Sequence, residues 1–185
     1  MNRSCTAGIV KAQLRQRPQG SNIVLIGMPG SGKSTLGRRL AKLWGLGFVD
    51  TDDLIEQHHG VKIQQLLEQN SLQEFRDLEQ QVLCSVDLRD HVVATGGSAV
   101  YSEAGMLHLS KQGQVIYLRI SSSTLNRRVK NSAVRGLVKQ PGQSLQSLLE
   151  ERRPLYEYWS DLSISNDRSL NKLRLDALAK TILGQ

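Results

Sequence analysis

The sequence predicts an α/β fold of three layers, with helices covering both faces of a central five-stranded parallel sheet. Two observations carry that prediction. Short apolar, β-branched runs alternate with amphipathic stretches along the whole chain. The first such run, Asn22–Ile26, leads straight into Gly27-Met28-Pro29-Gly30-Ser31-Gly32-Lys33-Ser34-Thr35, and then into Leu36, Leu40 and Leu43 at helical spacing. Strand, glycine-rich loop and helix follow one another in the order that a parallel sheet requires.

The loop is a complete G-x-x-x-x-G-K-[ST] phosphate loop, which makes the domain phosphate-loop NTPase-like. Its glycines let successive backbone N–H groups converge on phosphate oxygens, and the following helix adds its positive end. Gly30, Ser31, Gly32, Lys33, Ser34 and Thr35 are therefore the candidate nucleotide-binding residues. In this pattern Lys33 reaches the β- and γ-phosphates of ATP, and the Ser34 hydroxyl holds Mg²⁺.

The remaining elements follow in order. Gly45 and Gly47 close the first helix, and a second strand ends at Asp50. A helix starts at Asp52-Asp53, with acids where the dipole favours them, and stops at Gly60. Ile63, Leu66 and Leu67 mark a short helix; Leu72–Leu88 is a longer one with Phe75, Leu78, Val82 and Leu83 inward. His91–Thr95 is a third strand, followed by Gly96-Gly97-Ser98. Ser102–Gln112 is helical, Gln114–Leu118 a fourth strand and Ser122–Lys130 a helix. Residues 131–143 are polar, basic and punctuated by Gly136, Pro141 and Gly142, as a mobile lid should be. Ser144–Tyr158 is helix, Leu162–Ser165 the last strand and Leu170–Leu183 the last helix.

A chain of 185 residues is one domain by the usual scale, 21–185 here, behind a polar segment 1–20 expected to be a flexible basic tail. That segment holds Arg3, Lys11, Arg15 and Arg17 and no acid, so it supplies +4 of the net +7. The rest is only mildly basic, and the two Phe, four Tyr and two Trp do not interleave with basic residues as a stacking platform would. No nucleic-acid partner is expected. No run approaches the roughly 18 apolar residues that span a bilayer, and no apolar secretory block opens the chain, so the expected location is cytoplasmic, without a membrane. Cys5 and Cys84 have no metal-like or redox-motif spacing. A monomer is expected.

Size favours a small-molecule kinase over a motor, and no guanine-reading Asn-Lys-x-Asp is present. Asp50 and Asp52 sit at the end of the second strand, facing the phosphate loop's crevice. One acid of such a pair can assist Mg²⁺ while the other takes a proton or hydrogen bond from a substrate hydroxyl. The bland alternative is helix capping, open above all for Asp53.

From Asn22 onward the chain resembles the shikimate kinase family. Beyond the phosphate loop the resemblance rests on Phe48–Glu56, Glu74-Phe75-Arg76-Asp77-Leu78-Glu79, Thr95–Val100 and Arg152-Arg153-Pro154-Leu155-Tyr156, all in the family's order. It implies ATP-dependent phosphorylation of shikimate, with ATP and Mg²⁺ as cofactors, in aromatic amino-acid biosynthesis. It further implies that Asp52 holds the acceptor hydroxyls and serves as base, and that Asp50 assists Mg²⁺. Arg76 and Arg152 would clamp the acceptor carboxylate, Gly96 and Gly97 would pack on its ring, Arg135 in the lid would reach the phosphates, and Arg128 would stack on adenine. Three departures stand out: Ser98 where the family has a third Gly, Gly136 after the lid Arg in place of Pro, and Leu67 with Ser71-Leu72 in place of an aromatic and Gly-Glu. Two alternatives stay open: a related kinase for another small polyol acid, and a nucleotide-dependent regulatory or binding module.

Overall fold

Asn22–Ile26 (β1) is buried at every residue, which is why Ile23 to Ile26 read as an unbroken apolar run instead of an alternation. The other strands are Gly47–Asp50 (β2), His91–Ala94 (β3), Gly113–Arg119 (β4) and Leu162–Ser165 (β5). A computed structural model describes residues 20–130, 137–168 and 172–183. Among them the strands lie in the order β2-β3-β1-β4-β5, every neighbouring pair parallel. Residues 1–19 and the lid residues 131–136, with Arg135 and Gly136, lie outside the described residues.

The sheet's two faces sort by the period of two. Ile23 and Leu25 meet Leu36, Leu40 and Ala41 of Lys33–Trp44 (α1) and Ala179 and Ile182 of Lys172–Leu183 (α8). Val24 and Ile26 face the opposite layer, with Leu83 of Leu72–Ser85 (α4), Met106 and Leu109 of Glu103–Gln112 (α5), and Leu148 and Tyr156 of Leu145–Trp159 (α7). Leu125 of Ser122–Lys130 (α6) joins that layer. Each fully buried aliphatic side chain here contributes about 1.5–3 kcal/mol. A third, smaller cluster joins Ile55 of Thr51–His59 (α2), Ile63 and Leu66 of Ile63–Gln69 (α3), Phe75 and Val138.

β2 and β3 lie on one side of β1 and β4 and β5 on the other, so the strand order switches there. Ligands of such sheets bind beyond the carboxyl ends at that switch. The loops after β1, β2 and β3 all open into this crevice, and they carry the phosphate loop, Asp50–Asp52 and Thr95–Ser98.

Several boundaries move for identifiable reasons. The first helix begins at Lys33, not Leu36, because Gly32 takes a left-handed conformation (φ 96°) and turns the chain directly into it. The helix expected over Leu72–Leu88 stops at Ser85. The carbonyls beyond it are taken by distant side chains: Gln112 Nε2 donates to Val86 O (2.6 Å) and Asn22 Nδ2 to Leu88 O (2.6 Å). At its start the departure Ser71 forms a capping box with Glu74, each side chain holding the other's backbone N–H. A 3₁₀ turn at Ala99–Tyr101 was not foreseen; it packs Ala99 and Val100 into the core. Among the described residues no helix is long and apolar enough to cross a membrane.

Candidate active site

The phosphate loop is shaped by close approach. A β-carbon on Gly27 (φ 142°) would stand 2.7 Å from Leu118 O, and one on Gly32 would stand 2.8 Å from Asn166 Nδ2. No side chain caps α1 and no acid lies in its first turn, so its N-terminal amides face the crevice unneutralised. Lys33 is buried and folds back on the loop, its Nζ donating to Gly27 O (2.8 Å) and Met28 O (3.1 Å). Burial lowers its pKa to about 8, against the upward pull of Asp52 and Asp50.

Ser34 Oγ donates to Asp50 Oδ2 at 2.6 Å. The other oxygen of Asp50 accepts from Asp52 N (3.2 Å), so the cap of α2 is Asp50 and not Asp53, which instead lies 3.9 Å from Arg38. Thr35 is exposed, one residue further along α1.

On the other side of the crevice, Gly96 separates two carboxylates. A β-carbon there would lie 2.5 Å from Glu79 Oε1 and 2.7 Å from Asp52 Oδ1. At Gly97 it would collide with Pro29 and come within 3.1 Å of Arg152 Nη1. The pair is anchored from both ends, by Gly96 N to Thr51 Oγ1 (3.0 Å) and by Tyr156 OH to Gly97 O (2.7 Å).

Glu79 was missed by sequence reasoning, which named Phe75, Leu78, Val82 and Leu83 as the inward residues of this helix; Leu78 does pack against the α2–α4 cluster. In α4 the buried residues are Phe75, Glu79, Val82 and Leu83, so a carboxylate stands on the apolar face one turn beyond Phe75. That i, i+4 placement of a lone acid was the available signal. Burial raises the Glu79 pKa to about 7; a hydrogen bond from Ser98 opposes the rise and Asp52 adds to it.

Arg152 is fully buried. It donates from Nη2 to Val138 O and from Nε to Tyr101 OH (3.3 Å), while Nη1 has no hydrogen-bond partner among the described residues. Arg76 stacks on Tyr101, its Cζ 4.0 Å from the ring centroid, and its Nε is also buried without a hydrogen-bond partner. A cavity of about 180 Å³ joins the two sides. Lys33, Ser34, Asp50 and Asp52 line it with Gly96, Gly97 and Arg152, and Pro29, Phe75 and Val138 supply apolar wall. Arg76 is not among the residues that line it.

Arg128 lies against the outside of the loop. Its guanidinium donates to Gly30 O (3.3 Å), Ser31 O (3.1 Å) and Asn166 O (2.6 Å), and Asn166 Nδ2 donates to Ser31 O (2.7 Å). Asn166, which follows β5, was invisible to sequence reasoning because 135 residues separate it from Ser31.

The sequence profile of the shikimate kinase family matches residues 29–183. The chain is 44% identical over 149 residues to the shikimate kinase of Synechococcus sp. strain CC9902, covering 77% of this chain and 76% of that one. It is 39% identical over 148 residues to that of Sulfurihydrogenibium sp. strain YO3AOP1, covering 80% and 89%. The solved shikimate kinase of Acinetobacter baumannii in complex with shikimate is 32% identical with a TM-score of 0.72, over 93% of this chain and 94% of that one. A phosphate loop facing a small cavity that holds carboxylates and a buried arginine, on a chain matched over this much of its length, has one reading: this protein belongs to the shikimate kinase family.

Proposed function

We propose that the chain transfers the γ-phosphoryl group of ATP to a hydroxyl of shikimate. The observation that carries this reading is the convergence, on one small cavity, of Lys33, the Asp52 carboxylate and the unpartnered Nη1 of Arg152. The names of the relatives point the same way.

Loop amides and the α1 N-terminus hold the phosphates, and Lys33 leaves its loop carbonyls to meet the β- and γ-oxygens. The hydroxyl of Ser34 and the carboxylate of Asp50 are hard oxygen donors 2.6 Å apart, a set that fits Mg²⁺. The metal's part when bound is to neutralise phosphate charge. Arg128, a flat guanidinium at the loop's outer edge, supports the base, and Arg135 reaches the phosphates.

Asp52 orients the acceptor hydroxyl and takes its proton as the oxygen–phosphorus bond forms and the β,γ-bridging bond breaks, leaving its electron pair on ADP. Glu79, with a pKa near 7, sits beside Asp52 without a full second negative charge at neutral pH. Arg152 holds the acceptor carboxylate through Nη1, and Arg76, whose Nε also lacks a hydrogen-bond partner among the described residues, joins it from outside the cavity lining. Of the family departures, Ser98 lines the cavity with its hydroxyl engaged by Glu79, and Leu67 packs with the α2–α4 cluster instead of lining it.

The test is coupled ADP release with and without shikimate, repeated with its carboxamide. The reading expects shikimate-dependent release and a poor response to the amide. Release independent of any acceptor would refute it.

A further inference from the structure

Resting on the carboxylate-clamp reading above, we propose that Tyr101 is a positioning residue that holds Arg76 and Arg152 without an ion pair, and so sets specificity for an anionic acceptor. Two buried or half-buried guanidiniums close together normally recruit a carboxylate, and Glu151 is within reach. Yet among the described residues neither arginine forms an ion pair. The buried Glu79 also feels both arginines, but it forms no ion pair with either, and the contact that both guanidiniums share is the ring of Tyr101.

Its ring carries both cations. Arg76 Cζ lies 4.0 Å and Arg152 Cζ 5.2 Å from the centroid. A π-face attracts a guanidinium through its plane and leaves the N–H edges free, whereas a carboxylate would consume those edges. Arg76 Nε and Arg152 Nη1 accordingly have no protein hydrogen-bond partner among the described residues. The hydroxyl performs the second task. It donates to Glu151 Oε1 and accepts from Arg152 Nε, while Gln143 Nε2 holds the other Glu151 oxygen at 2.6 Å. Glu151 is thereby bonded to Tyr101 and Gln143 and paired with neither guanidinium. Tyr101 reaches this point from the end of the 3₁₀ turn, whose following residue, Ser102, caps α5 through Gly105 N at 3.0 Å.

The experiment is steady-state kinetics on the full chain with shikimate, together with inhibition by its carboxamide. The variants are Tyr101→Leu, Tyr101→Phe, Glu151→Gln, the Tyr101→Phe/Glu151→Gln pair and Arg76→Ala. Tyr101→Leu should raise the shikimate KM by about tenfold or more, with the ATP KM and the amide inhibition constant within about twofold of the parent. Tyr101→Phe keeps the ring but releases Glu151, so its KM should rise by about three- to fivefold and return toward the parent value when Glu151→Gln is added. A purely structural role would not be relieved by that second change. Equal losses for acid and amide, or a parallel rise in ATP KM, would overturn the proposal. So would an unrelieved Tyr101→Phe defect in a variant whose melting temperature matches the parent. If Arg76→Ala raises the shikimate KM while Tyr101→Leu does not, the Tyr101 assignment alone falls. If Arg76→Ala has no effect, the clamp reading falls and takes this proposal with it.

Discussion

The donor and acceptor halves of the crevice are built in opposite ways. On the donor side, Gly27 to Ser34 are contiguous, and their geometry follows from local backbone freedom at Gly27, Gly30 and Gly32. On the acceptor side, Asp52, Glu79, Gly96 and Arg152 arrive from four separate segments and meet only when the sheet and α4 and α7 have packed. A locally built site concentrates its chemistry in a few backbone amides and one cation. A site assembled from afar depends on buried charges that neighbours must hold in place, so its failures should couple to stability and pH.

The sharpest way to break that comparison is to strike each half at its chemical centre. Lys33→Ala should cut turnover by about 10²–10³-fold or more, since a buried cation at developing phosphate charge is lost. Its far-UV circular dichroism and melting temperature should stay near the parent's, because removing Lys33 also removes a desolvation penalty. Asp52→Asn should cost about 10²–10⁴-fold in kcat with nucleotide affinity kept, read by titrating ATP against each variant. Ser34→Ala, in contrast, should shift the Mg²⁺ dependence. Loss of nucleotide affinity in Asp52→Asn, with its rate kept, would reverse the assignment of the two halves.

Arg76→Ala should weaken acceptor binding by roughly tenfold to a few hundredfold, at about 1.5–3 kcal/mol for a charge-assisted hydrogen bond. ATP affinity should hardly move. Arg152→Ala should do the same and also lower the melting temperature, because Arg152 is buried and bonded to Val138 O. Calorimetry and thermal melting on the two variants separate the shared loss from the extra one.

Glu79 ties the acceptor side to pH. Its folded-state pKa, about 7, lies above the ordinary 4.5, mainly through burial. The protonated form is therefore the one that favours folding: its contribution is whole below about 4.5 and is lost as pH climbs through about 7. The ligand-free parent should lose roughly 3 kcal/mol at most over that window relative to Glu79→Gln, seen as melting temperatures that diverge between about pH 4.5 and 7 and then run parallel. A constant difference across the window would remove the titration from Glu79.

The smallest effect belongs to the donor side. Lys33 has a pKa of about 8 when it bonds only its own loop. Phosphate oxygens should raise it, so nucleotide binding at pH 8 should take up about half a proton or less. Calorimetry in buffers of different ionisation enthalpy measures this directly, and Lys33→Ala should abolish it.

Much of this molecule is legible without coordinates. The alternation of buried runs and amphipathic stretches determined the parallel sheet, because period and connection length are local properties of the chain. The phosphate loop determined its own shape, since a turn that demands left-handed residues admits few sequences. Arg152 was assigned from its motif, but its full burial and its bond to Val138 depend on where α7 lands. Tertiary structure alone decided that Asp50 both caps α2 and meets Ser34, and that Glu79 and Asp52 flank Gly96. It also decided that Asn166 braces the loop from beyond β5, and that Tyr101 lies against two arginines. The reason is common to all of these. A capping residue, a buried carboxylate or a stacking ring is defined by its partner. Partners 16, 135 or 51 residues away, as Asp50 is from Ser34, Asn166 from Ser31 and Arg152 from Tyr101, are brought together only by the packed sheet.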